Sequence, residues 1–144
     1  MTSQLNVDTI VDKAGTGGAT LSKPTITEMA NTSTYVSDGG TSTQSLIQGL
    51  SKSWNQCAGT GDAINDSFNV ASITDTATGR INVNLSNNMS NDDYSMVGSQ
   101  GDDGRMQNCY SPSTSEYEAM TTISTNQAAV DVSLNCSSVL GDLA

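Results

Sequence analysis

DSFNVASITDTATGRINVNLSNNMSNDDYSMVG, running from Asp66 to Gly98, alternates apolar and polar residues with a period of two. Phe68 and Val70 fall on one side of a strand. After a turn at Thr78-Gly79, Ile81, Val83 and Leu85 repeat the alternation, with Asn82 and Asn84 on the other face. A cluster of turn formers, Ser90 to Asp93, separates these from Tyr94 and Met96. Successive side chains of a strand point to opposite faces. The pattern therefore predicts half-buried antiparallel strands joined by short turns, with one face in a core.

The same rhythm continues downstream. Gly101 to Gly104 (GDDG) reads as a turn and Met106 to Tyr110 as a strand, closed by a loop at Ser111-Pro112. Tyr117, Ala119, Thr121 and Ile123 alternate through a further strand. Val130, Val132, Leu134 and Cys136 alternate through the last long one, which ends near Val139. Roughly six to eight strands at this spacing predict a mainly β chain with a C-terminal antiparallel β-sandwich, here over residues 59–144.

Upstream the pattern changes. Thr41 and Gln44 have the spacing of a capping box, in which each side chain satisfies a backbone amide of the first turn. Leu46, Leu50 and Trp54, with Ile47 beside them, recur at helical spacing. This predicts one short helix within residues 41–58, ending near Trp54. Gly49 weakens it by about 1 kcal/mol relative to alanine. At about three turns it is marginal alone, so its stripe has to pack, the β-domain of the same chain being one choice. Residues 1–40 read as an extended arm and linker. Leu5, Val7, Ile10 and Val11 make a strand-like piece, the flexible AGTGGAT loop follows, and a Thr/Ser/Asn-rich linker is extended around Tyr35-Val36. The arm carries too little apolar surface to offset its own ordering entropy, which predicts that it docks on a neighbour.

Of the 144 residues only 35% are hydrophobic and 4% aromatic, which predicts a thin core. Scaffolds of this kind borrow stability from oligomerisation, metals or disulfides. Cys57, Cys109 and Cys136 are an odd set without CxxC spacing; buried thiols, or one bridge and a free thiol, both fit. The net charge of −10 combines 15 acidic with 5 basic residues, and the basic ones are scattered singly. Binding to a phosphate backbone needs clustered Lys and Arg, so nucleic acid and anionic membrane are poor partners. The residues after Met1 are polar and no apolar run approaches the length of a membrane span, so neither a signal peptide nor a membrane anchor is expected.

No catalytic signature is present. The chain has no histidine, which removes the Ser-His-Asp and Cys-His arrangements. Asp92-Asp93, Asp102-Asp103 and the pair Glu116 and Glu118 are the densest acidic sites. Glycosidases need two carboxylates flanking a cleft, whereas adjacent aspartates among Asn, Ser and Gly read as solvated turns. Calcium would want the same oxygens, but neither QGDDG nor NDD has the EF-hand spacing. The expectation is a non-enzyme without metal or cofactor. If a sugar is bound, exposed aromatics would stack on it, and Tyr94, Tyr110 and Tyr117 are the candidates, Trp54 being assigned to the helix.

The order DSFNV, ITD, TG, INVNLSNNMSN, Tyr94 resembles the C-terminal β-rich modules of tail-fibre and other virion-appendage proteins of bacteriophages, marine ones especially. QLNVDTIVDKAGTGGATL (Gln4 to Leu21) is similar to the N-terminus of many such proteins, and VLGDLA (Val139 to Ala144) to their C-terminus. The resemblance implies a virion protein made in the bacterial cytoplasm: a small fibre, spike or head fibre, attached by its arm to tail or capsid proteins, with the sandwich facing out. It further implies a homotrimer whose helix packs at a threefold axis, with Leu5, Val7 and Ile10 of the arm and Leu46, Leu50 and Trp54 of the helix as assembly residues. A capsid decoration protein, or a tip that binds host surface glycan, are the alternatives within the same setting.

Overall fold

The computed structural model describes residues 25, 26, 28–30, 33–36, 42–60, 63–110, 112–141 and 143. The chain divides into two units, Met1–Ala30 and Asn31–Ala144. Among the described residues the second unit is built of strands alone. A small antiparallel hairpin pairs β1 (Thr34–Val36) with β2 (Thr43–Ser45). It is followed by β3 (Ser51–Cys57), β4 (Ile64–Phe68), β5 (Val70–Ala77), β6 (Arg80–Leu85), β7 (Ser95–Gln100), β8 (Arg105–Tyr110), β9 (Glu116–Ile123) and β10 (Asn135–Leu140).

These eight strands make two four-stranded antiparallel sheets, ordered β4-β3-β10-β7 and β5-β6-β9-β8. The chain changes sheet at both edges. At one, β4 runs into β5 through Asn69, whose φ of 57° lies in the left-handed region; asparagine enters that region more readily than most residues because its short amide bonds locally. Here the Asn69 amide donates to the carbonyls of Lys52 (3.0 Å) and Asn87 (3.1 Å), and its Oδ1 accepts from the Asn87 backbone (2.7 Å). Phe68 and Val70 therefore do not share a face as their spacing predicts: Phe68 stays exposed on one sheet while Val70 packs against the core from the other. At the opposite edge β7 turns into β8 through Gly101–Gly104, the predicted turn. Strand β10 then returns beside β7, which completes a Greek key.

The β5–β6 turn at Thr78-Gly79 forms as predicted, and it requires glycine. Gly79 has φ 69°, and a Cβ there would sit 2.6 Å from the Thr121 carbonyl oxygen. Ile81, Val83 and Leu85 of β6 and Tyr117 and Ala119 of β9 point inward, and with Cys57, Met89, Tyr94 and Val139 they form the core. Hydrogen bonds cross between the sheets in this sandwich-like arrangement. The Asn55 amide donates to the Tyr117 hydroxyl (3.0 Å) and to Ser137 Oγ (2.6 Å), and Tyr117 OH lies 2.7 Å from Ser137 Oγ. Gln107 of β8 donates to Asn135 Oδ1 of β10 (2.9 Å).

The predicted helix is not there. Thr43–Ser45 is strand, Leu46 to Gly49 is a turn, and Ser51–Cys57 is a central strand of the first sheet; Thr41 lies outside the described residues. The reason is the inner face of β3. Ser53, Asn55 and Cys57 are buried at a period of two while Trp54 and Gln56 face out, so small polar residues fill the strand positions and the apolar stripe is coincidental. The two-layer head therefore starts at β3, earlier than residue 59. In β10 the predicted parity is also reversed. Asn135, Ser137 and Val139 face in, Cys136 faces out, and Val132 is buried from the preceding loop.

Candidate functional site

The outer face of β4-β3-β10-β7 is where this sheet departs from the usual pattern. Register places Phe68, Trp54, Ser138 and Val97 in one row across the four strands. The next row is Asp66, Gln56, Cys136 and Ser99. Facing side chains on neighbouring strands stand about 4.5–5.5 Å apart at Cβ, so the rows form a continuous surface. Trp54 is 38% exposed, Phe68 51% and Val97 56%. Between Trp54 and Val97 lies an open depression of about 530 Å³, lined also by Gln56, Asp66, Ser99 and Cys136 among others. At one end Lys52 is buried and its Nζ donates to the Ile47 carbonyl of the β2–β3 turn. Ser138 Oγ is held 2.8 Å from Ser51 Oγ.

The outer face of β5-β6-β9-β8 is mainly polar along β6 and β9, with Met106 exposed and Met120 near it toward the β8 edge. Arg80 pairs with Glu118 at 2.9 Å, and its guanidinium lies over the Tyr110 ring, 5.4 Å from the centroid. Tyr110 OH donates to Met120 Sδ at 3.0 Å. Burial, and then the adjoining Glu118 carboxylate, push the Tyr110 hydroxyl up to about 12. Asn82, Asn84 and Glu116 complete the surface.

The residues singled out in the sequence scatter. Leu5, Val7 and Ile10 lie outside the described residues. Leu46 is half-buried in the β2–β3 turn and Leu50 is exposed after it, so with Trp54 on β3 they do not make one helical stripe. The tyrosine surface is corrected. Tyr117 is buried in the core, and Tyr94 is buried with its hydroxyl donating to the carbonyls of Ser113 (2.9 Å) and Glu116 (3.1 Å). Tyr110 faces out from the opposite sheet, so these side chains share no surface. On the β4-β3-β10-β7 face the aromatics that stand open are Trp54 and its cross-strand partner Phe68. Lys52-Ser-Trp-Asn-Gln-Cys57 carried the signal, a period-two alternation of small polar residues against Trp54 and Gln56.

Burial pushes the Cys57 thiol up to about 11, and Cys57, Cys109 and Cys136 are all free. The Asp102 carboxylate accepts from Ser133 backbone N (2.9 Å) and Oγ (2.5 Å), which holds its pKa below the ordinary value and ties the β7–β8 turn to the loop before β10. Among the described residues no three His, Cys, Asp or Glu side chains come together to hold a metal. No family model, curated protein or solved structure matches the chain.

Proposed function

We propose that this chain is a structural protein of a bacteriophage virion, a small fibre, spike or other appendage. Its N-terminal arm fastens to the particle and its all-β head faces out. Three copies associate through the arm, with Leu5, Val7 and Ile10 as the apolar contacts. The observation that carries the reading is the division of the chain: every strand of the two four-stranded sheets lies in Asn31–Ala144, and Met1–Ala30 is a unit apart. A chain of two units suits a protein that attaches by one of them and presents the other. The acidic balance keeps such a head soluble and discourages non-specific adhesion, and a closed ring of copies protects apolar segments that one copy leaves open.

The test is the solution mass of the full chain by light scattering, beside a version lacking residues 1–30. A trimer that falls to monomer without the arm is expected. A monomeric full chain would remove the threefold assembly. Immunogold labelling of purified particles then separates tail from head: label at the tail supports an appendage, label over the capsid makes the chain a decoration protein, and unlabelled particles end the virion reading.

A further inference from the structure

We infer that the depression on the outer face of β4-β3-β10-β7 binds a neutral saccharide, with Trp54 as the platform on which a sugar ring stacks and Asp66 and Gln56 as its hydrogen-bonding partners. The inference rests on the geometry of this face and holds independently of any place in a virion.

The placement of Trp54 is the first ground. The chain has one tryptophan, and burying a large aromatic is the largest contribution a single side chain makes to a core. Yet β3 turns Ser53, Asn55 and Cys57 inward and leaves Trp54 outside, beside an exposed Phe68. Folding alone favours the reverse arrangement. A local rule broken in this way points to function at the position.

The second ground is the chemistry of the two rows. A pyranose ring has an apolar C–H face and a rim of hydroxyls. Trp54 and Val97 offer the apolar surface, and the adjoining row offers a carboxylate at Asp66, an amide at Gln56 and a hydroxyl at Ser99. The carboxylate accepts from hydroxyls, and the amide both donates and accepts. A mostly apolar hollow of about 530 Å³ with a few convergent polar groups lies within the size of small-ligand sites, about 300–1,000 Å³.

Charge narrows the ligand. With a net charge of −10 and Asp66 lining the hollow, an acidic sugar is repelled, while an uncharged one is matched by the apolar platform and the hydrogen-bonding groups beside it. The same carboxylate argues against a second copy seated face to face. Interface cores are depleted of charge, and a twofold contact across this surface would bring two Asp66 side chains together without a cation among the lining residues.

Because Trp54 is the sole tryptophan, fluorescence excited at the red edge, where the four tyrosines do not absorb, comes from this one side chain. The full-length protein is titrated separately with maltose, cellobiose, lactose and N,N′-diacetylchitobiose to about 10 mM, well past half-filling of a millimolar site. A saturable change in Trp54 emission with at least one sugar is expected. Gln56→Ala and Asp66→Ala, both at exposed positions and both leaving Trp54 in place, each weaken it about tenfold, the loss of one hydrogen bond to the ligand. Trp54→Ala, followed by calorimetry, abolishes binding. The inference is overturned if none of these sugars gives a saturable response, or if the response survives both polar substitutions unchanged. It is equally overturned if Trp54→Ala lowers the solution mass while the wild-type protein binds no sugar, for the face is then an interface between copies.

Discussion

The two sheets of the head share one core but are patterned in opposite senses. In β6 and β9 the apolar side chains Ile81, Val83, Leu85, Tyr117 and Ala119 face in, and Arg80, Asn82, Asn84, Glu116 and Glu118 face out. In β3 and β10 the buried residues are Ser53, Asn55, Asn135 and Ser137 with Cys57 and Val139, and the outer face carries Trp54 and Cys136. The β5-β6-β9-β8 sheet follows burial energetics, about 25 cal/mol for each Å² of apolar surface removed from water. The β4-β3-β10-β7 sheet is held to it by hydrogen bonds from Asn55, Ser137 and Asn135. Such bonds add little net stability when made and cost a good deal when one partner is lost. A polar inner face is thus tolerated because it is paired across the sheets, and it leaves the apolar residues of the same strands available outside.

Substitutions can break that contrast. Ile81→Ala, in the apolar layer, is expected to cost about 2–5 kcal/mol, read as a fall in the urea midpoint. Raising the pH acts on both layers, through Tyr117 of β9 and Cys57 of β3. Burial pushes Tyr117 up to about 12 from an ordinary 10.0, so between those values the unfolded chain loses its proton first and stability falls. Cys57, raised to about 11 from 9.0, starts the decline earlier. Unfolding followed by circular dichroism should therefore become progressively easier above about pH 9, with tyrosinate absorbance rising in step with the loss of structure.

Tyr117→Phe keeps the ring and deletes the hydroxyl that Asn55 and Ser137 share. It should cost about 1–3 kcal/mol, the penalty of buried groups left without a partner, and flatten the alkaline decline. Ser53→Ala sharpens the contrast from the other side. Ser53 Oγ is buried without a hydrogen-bond partner among the described residues, so its removal should raise the thermal midpoint, by a gain of about 1 kcal/mol. Trp54→Ala is expected to change stability least, by under about 1 kcal/mol, while removing the surface that the sugar titrations probe.

This contrast also explains what could be read in advance. The β6 and β9 strands and the turns at Gly79 and Gly101 to Gly104 were legible because burial, period two and turn chemistry agree there. Strand β3 was not. Leu46, Leu50 and Trp54 have helical spacing by coincidence, and what fixes the segment as strand is Asn55 meeting Tyr117, 62 residues away, and Ser137, 82 away. No local window contains those partners. The tyrosines were misassigned for the same reason: they became candidates by elimination once Trp54 was assigned to the helix, whereas Tyr117 is placed by the inward parity of β9 and Tyr94 by its bonds to Ser113 and Glu116. The corner at Asn69 did leave a mark, since asparagine is a residue that tolerates left-handed backbone, and it separates Phe68 from Val70.

The pairing of β3 with β10 has a mechanical consequence. Ser51, where β3 begins, is opposite Leu140, where β10 ends. Pulling these two points apart loads the central ladder at one end, so its hydrogen bonds give way in succession, as a zipper opens, at low force. A pull on one of them against the far end, where Cys57 is opposite Asn135 and Gln100 turns toward β8, loads the rungs together in shear. The head therefore has a weak handle and a strong long axis, and a tether at Ser51 uses the strong direction whenever the resistance comes from the opposite tip.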